Sequence, residues 1–151
     1  MPKIELSLVI DAPIEAVFAV ARNVEKFPQF MDDLKSLTVL ERNEDDTRTV
    51  TEWVGLLREF KMTIKWTQED RWDTEQFRDD FTLIKGDMDK MDGFWQFTSE
   101  AGGTRFDSFL DYEYDVPLIG AMVKSLIKKK LTENLQATMT AIKGESERLQ
   151  K

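Results

Sequence analysis

The sequence predicts an α+β fold: a curved antiparallel β-sheet wrapped around a long C-terminal α-helix, with a short helical segment near the N-terminus. Three observations lead there. The first residues alternate with period two and then turn helical. The middle of the chain is a series of alternating segments separated by turn residues. The last part repeats its apolar residues at every fourth position.

Ile4, Leu6, Leu8 and Ile10 fall on one side of the first segment and Glu5, Ser7 and Val9 on the other, the pattern of a half-buried strand. Asp11-Ala12-Pro13 then opens a helix, since Pro fits the first turn and Asp suits the positive end of the dipole. Ile14, Val17, Phe18 and Ala21 form one apolar helical face, and Asn23 is a stop. Phe27, Phe30 and Met31 around Pro28 predict one or two short turns.

From residue 34 to residue 114 the pattern is repeated strands. Leu37, Val39 and Glu41 lead to a turn near Asn43. Thr51 and Trp53 alternate with Glu52 and Val54, and Met62, Ile64 and Trp66 with Thr63 and Lys65. Phe77, Asp79, Phe81 and Leu83 follow in one phase; Trp95 and Phe97 come next, and Phe106, Ser108, Leu110 and Tyr112 complete the last strand. Lys85-Gly86-Asp87 and Ala101-Gly102-Gly103 are the turn signals between them. Sequential strands with short connections imply an antiparallel meander with one buried face. Trp72 lies in a charged segment, at a predicted strand end, and is left outside the inward set.

The final helix is expected from Asp115 to about residue 147, about 45 Å at 1.5 Å per residue. Ile119, Val123, Ile127, Leu131, Leu135 and Met139 make an i, i+4 ridge, which is inclined to the helix axis. A stripe that winds in this way matches a twisted sheet better than a flat partner.

Composition narrows the functional classes. The 151 residues, 41% hydrophobic and 33% charged, suit a folded domain, taken as one unit over residues 1–151. The N-terminus carries polar residues too often for a signal peptide, and a cytoplasmic location with no stable membrane insertion is expected. There is no Cys and no His, which removes thiol chemistry, zinc-thiolate sites and the usual general base. No metal, cofactor or assigned catalytic residue is expected. The net charge of −8 opposes nucleic-acid backbones; Lys124, Lys128, Lys129 and Lys130 read as a solvated helix face.

Four segments carry a family resemblance along nearly the whole chain. Ile10-Asp11-Ala12-Pro13-Ile14-Glu15-Ala16-Val17-Phe18, Val24-Glu25-Lys26-Phe27-Pro28-Gln29-Phe30, Leu37-Thr38-Val39-Leu40-Glu41-Arg42 and Gly93-Phe94-Trp95-Gln96-Phe97 resemble, in this order, the START-like or polyketide cyclase/dehydrase (SRPBCC) superfamily. The branch they resemble most is that of the coenzyme Q-binding-like proteins. The resemblance implies a helix-grip fold and an internal cavity, with ligands that differ between members.

The inward phase offers Thr51, Trp53, Met62, Trp66, Asp79, Phe81, Trp95, Phe97, Phe106, Ser108 and Tyr112, with Met122 facing them from the helix, as ligand-binding candidates. Ile119, Val123 and Leu126 are expected on the same helix face. Leu56, Leu57 and Met122 are expected at a mouth near the start of the long helix, beside residues 54–59. Asp79 has three readings: paired with an internal Arg or Tyr, in contact with ligand, or exposed by a break in phase. Three functions compete. The first is binding of a hydrophobic molecule such as a lipid, quinone or polyketide-like aromatic. The second is a cyclase or aromatase with Asp79 as base and Tyr112 as acid or oxyanion donor. The third is a protein-interaction module of the ribosome-associated kind.

Overall fold

Alternation in the chain becomes seven strands and helical spacing becomes three helices in the computed structural model, which describes residues 3–57, 61–114 and 121–150. Strand β1 (Lys3–Ile10) leads into α1 (Ile14–Arg22), a 3-10 turn (Val24–Lys26) and the single turn α2 (Phe27–Phe30). Then come β2 (Leu34–Arg42), β3 (Arg48–Leu57), β4 (Met62–Asp73), β5 (Arg78–Gly86), β6 (Lys90–Glu100) and β7 (Gly103–Glu113). Helix α3 (Ala121–Arg148) closes the order; its expected beginning, residues 115–120, lies outside the described residues. The sheet runs β1-β7-β6-β5-β4-β3-β2, and every neighbouring pair is antiparallel. This is the antiparallel sheet and long C-terminal helix that the periodicity implies, and the helix-grip fold that the resemblance implies.

Pro13 precedes α1 in an extended conformation and Asn23 ends it, its N–H donating back to the carbonyls of Ala19 and Val20. The predicted apolar face of Ile14, Val17, Phe18 and Ala21 is buried. Thr104 on β7, itself fully buried, donates its hydroxyl to the Ala12 carbonyl at 2.7 Å and fixes the turn between β1 and α1. The far end of α3 is tied to the same corner: Glu147 accepts from the Asp11 N–H at 2.8 Å, and the Lys143 ammonium donates to the Val9 carbonyl at 3.1 Å.

Helix α3 has 28 residues and lies across the inner face of the sheet. Ile127, Leu131, Leu135 and Met139 of the predicted ridge are buried or half-buried, and the stripe then steps by three to Ile142 and by four to Ser146, both fully buried. Four residues advance about 400°, so a ridge of fours drifts round the helix until a step of three brings it back. Leu126 corrects the expectation: it is 39% exposed, one position out of phase with Ile127. Lys124, Lys128 and Lys129 are exposed, as a solvated face requires, and Lys130 pairs with Glu133 at 3.1 Å.

Apolar packing divides into two clusters. The larger joins Ile10, Val17, Phe18, Phe27, Trp53, Trp72, Trp95, Phe97, Phe106, Met139 and Ile142. The smaller gathers Ile4, Ile64, Met88, Met91 and Tyr112, with Leu131 and Leu135 packed against it. Trp72 corrects the sequence reading: β4 runs on to Asp73, so Trp72 keeps the inward phase of Ile64 and Trp66 and is buried against Phe18. Its indole N–H donates to Thr49 Oγ1 at 3.3 Å.

Candidate ligand-binding cavity

Between these clusters the sheet and α3 enclose a cavity of about 780 Å³. Strand alternation builds its walls. Trp53 and Trp66 are directly opposite on β3 and β4 and their rings stack at 5.6 Å with 11° between planes. Phe81 on β5 and Trp95 on β6 meet edge to face at 6.4 Å. Met88, Met91, Ile64 and Leu110 supply further apolar wall, and α3 contributes Leu131, Asn134, Leu135 and Thr138. The remaining side is Val24 together with residues 30–34.

Two glycines shape the wall. Gly86 has φ +148°, and a Cβ there would lie 2.5 Å from Trp66 Cα, so a side chain is excluded where β4 and β5 shift register. Gly93 lies beneath Phe81: a Cβ would come within 2.6 Å of that ring and 2.2 Å of the Phe109 carbonyl oxygen. The absence of a side chain at Gly93 lets the Phe81 ring lie flat against the sheet.

A polar track crosses this apolar surface. The Trp66 indole N–H donates to Gln68 Oε1 at 2.7 Å, and Gln68 Nε2 donates to Asp70 Oδ1 at 2.7 Å. Asp70 and Asp79 are neighbouring carboxyls on β4 and β5 that perturb each other's titration. They are 4% and 1% exposed. Burial is the main cause that raises both carboxyl pKa values; the Asp70 charge lifts Asp79 further, well above the ordinary range. Of the two, Asp79 is pushed up further, because it feels both burial and the Asp70 charge, while Gln68 supports the charged form of Asp70. Asp79 Oδ1, Trp95 Nε1 and Ser108 Oγ are buried and have no hydrogen-bond partner among the described residues.

The expected site residues separate into two sets. Trp53, Trp66, Asp79, Phe81 and Trp95 line the cavity. Thr51, Phe97, Phe106, Ser108 and Tyr112 are buried without lining it. Thr51 accepts the Trp53 indole N–H at 2.7 Å, Phe97 and Phe106 pack together with centroids 4.4 Å apart, and Tyr112 belongs to the smaller cluster, where burial raises its hydroxyl pKa. The side chains of Met62 and Met122, and that of Leu57 at the expected mouth, lie outside the described residues; Leu56 is half-buried and does not line the cavity. Among the described lining residues, the exposed ones are Asp32 on one side and Glu133, Gln136, Ala137 and Thr140 of α3 on the other. The cavity opens to solvent between them.

Of the three readings of Asp79, exposure is ruled out, and its partner is a second carboxyl rather than Arg or Tyr. Gln68 and Asp70 were missed because the charged run Glu69-Asp70-Arg71 hides the phase. Extending the alternation from Ile64 and Trp66 to Trp72 places both inward.

This arrangement defines a helix-grip protein with an aromatic cavity crossed by a buried acid pair. The chain belongs to the polyketide cyclase/dehydrase and lipid transport family, whose pattern matches residues 10–139. Among solved structures it is similar to a protein of Thermus thermophilus, with 28% identity, TM-score 0.92 and coverage of 99% of this chain and 100% of that one. It is also similar to the Zhui aromatase/cyclase of a Streptomyces species, at 15% identity, TM-score 0.89 and coverage of 99% and 96%. A START superfamily protein of Mycobacterium smegmatis has 19% identity, TM-score 0.81 and coverage of 97% and 98%. No curated protein matches the chain. No helix among the described residues is long and apolar enough to cross a membrane.

Proposed function

We propose that the chain, acting as one domain in the cytoplasm, binds a flat hydrophobic small molecule between its sheet and α3. The observation that carries this reading is the cavity of about 780 Å³ walled by the Trp53–Trp66 stack, Phe81, Trp95 and two methionines. That volume is in the range of small-molecule sites, and such sites are mostly apolar with a few placed polar groups. Aromatic faces favour planar rings, and methionines adapt to the edge of an irregular ligand. The motif order supports a place beside the coenzyme Q-binding-like branch, and so a quinone or a related polyketide-like ring. Native mass spectrometry of freshly purified protein, followed by organic extraction, tests the reading. A bare chain mass, with no rise in melting temperature on adding quinones, sterols or flat aromatics, would overturn it.

A second reading, a cyclase or dehydratase on a polyketide-like substrate, rests on the acid pair. Aldol chemistry needs an acid and a base at one place, and two neighbouring carboxyls whose pKa values burial raises unequally are suited to supply both. Tyr112 is then replaced by Asp70 as partner of Asp79, since Tyr112 does not line the cavity. Unchanged cyclisation of a poly-β-keto thioester by Asp79→Asn would exclude this reading.

A further inference from the structure

We propose that Asp79 and Trp95 form an anchoring subsite for a neutral hydroxyl group on the aromatic ligand, and that the same subsite turns away anionic ligands. The inference rests on the binding reading above and names the chemistry of the ligand's polar end.

Asp79 and Trp95 are directly opposite on β5 and β6, both inward and both lining the cavity. Directly opposed side chains leave the sheet about 5 Å apart, within reach of one small polar group. Each carries one polar atom with no protein partner among the described residues, and the two are of opposite kinds. Asp79 Oδ1 is an acceptor and Trp95 Nε1 is a donor. A buried unpaired donor and a buried unpaired acceptor are each unfavourable, and a ligand that satisfies both gains what the empty cavity lacks.

The partner must give one hydrogen bond and take one. A hydroxyl does this with a single oxygen: it donates to Asp79 Oδ1 and accepts from Trp95 Nε1. A carboxylate or phosphate has no proton to give Asp79, and it would sit beside the Asp70 charge. The described lining residues include no Lys or Arg to compensate it. An ammonium could give to Asp79 but would meet the indole N–H of Trp95 donor to donor. The Trp53–Trp66 face and the Phe81 ring then require that the hydroxyl sit on a planar ring, as in a phenol or an enolised polyketone.

The test uses one ring with four endings: naphthalene, 2-naphthol, 2-naphthoate and naphthylmethylammonium, titrated near neutral pH by quenching of the tryptophans. Two added hydrogen bonds predict that 2-naphthol binds at least about fivefold tighter than naphthalene. Naphthoate is expected to bind more weakly than naphthalene. Asp79→Leu and, separately, Trp95→Phe are expected to bring the naphthol-to-naphthalene ratio toward one, and Asp79→Asn, which restores a carbonyl oxygen, to recover it. The ratio is taken within each variant, and Trp95→Phe covers the case in which Asp79→Leu does not fold. Equal binding of naphthol and naphthalene by the wild type overturns the subsite and leaves the cavity reading standing. Tightest binding of the ammonium or the carboxylate overturns it also. Failure of all four probes overturns both.

Discussion

The inner face of the sheet has a closed half and an open half built from the same kinds of residue. In the closed half Phe97 and Phe106 pack at a tilt of 33°, Phe18 of α1 meets Phe77, Trp72 and Phe97 edge to face at 5.2–5.8 Å, and Met139 and Ile142 of α3 close the packing. In the open half Trp53, Trp66, Phe81 and Trp95 are aromatic as well, but what lies across from them differs. There α3 offers Leu131, Asn134, Leu135 and Thr138, and the other cover is the segment after α2 rather than a full helix. Burial of aromatic side chains is therefore no measure of whether they form core or cavity; the covering element decides.

The comparison is broken most strongly by removing a ring from the closed half. Phe106→Ala, at a fully buried position, is expected to cost about 3–5 kcal/mol in urea unfolding, because neighbours there cannot collapse into the gap. Phe81→Ala, half-buried beside existing space, is expected to cost less than half as much while weakening ligand binding. Equal costs would mean that the two halves are equally packed.

Gly93→Ala tests the wall itself. The added methyl meets the Phe81 ring and the Phe109 carbonyl, so a loss of at least about 1–3 kcal/mol is expected, together with a change in ligand affinity. A stable variant with unaltered binding would show that Phe81 is not held by that contact. In the closed half, Thr104→Val removes the hydroxyl bond to Ala12 and is expected to cost about 1 kcal/mol with no effect on binding.

The prediction sharpest in its sign concerns the acid pair. The folded-state pKa values of Asp70 and Asp79 lie above those of the unfolded chain, so the folded protein holds the extra proton. The associated stability is full below the ordinary carboxylate pKa and is lost as pH rises through the raised values. Asp79→Asn keeps a donor toward Asp70 without a proton to lose. Its melting temperature relative to wild type is expected to climb steadily as pH is raised. Parallel melting curves at every pH would mean that folding does not raise these pKa values.

The sequence by itself determined the architecture. Alternation at Ile4 to Ile10 and Phe106 to Tyr112, the Pro13 helix start and the ridge from Ile127 to Met139 each reflect local backbone geometry, which a single chain displays openly. It also showed the inward phase of most strands, Asp79 included, but not of the charged end of β4, where Gln68, Asp70 and Trp72 turn out to be buried. Only the tertiary structure decided which inward residues are solid core, as with Phe97, Phe106 and Tyr112, and which border space, as with Trp53, Trp66 and Trp95. The partnership of Asp70 with Asp79 belongs to the same level. Period two gives the face of a strand but not its register with the next, and it was the pairing of β4 with β5 that brought two carboxyls together.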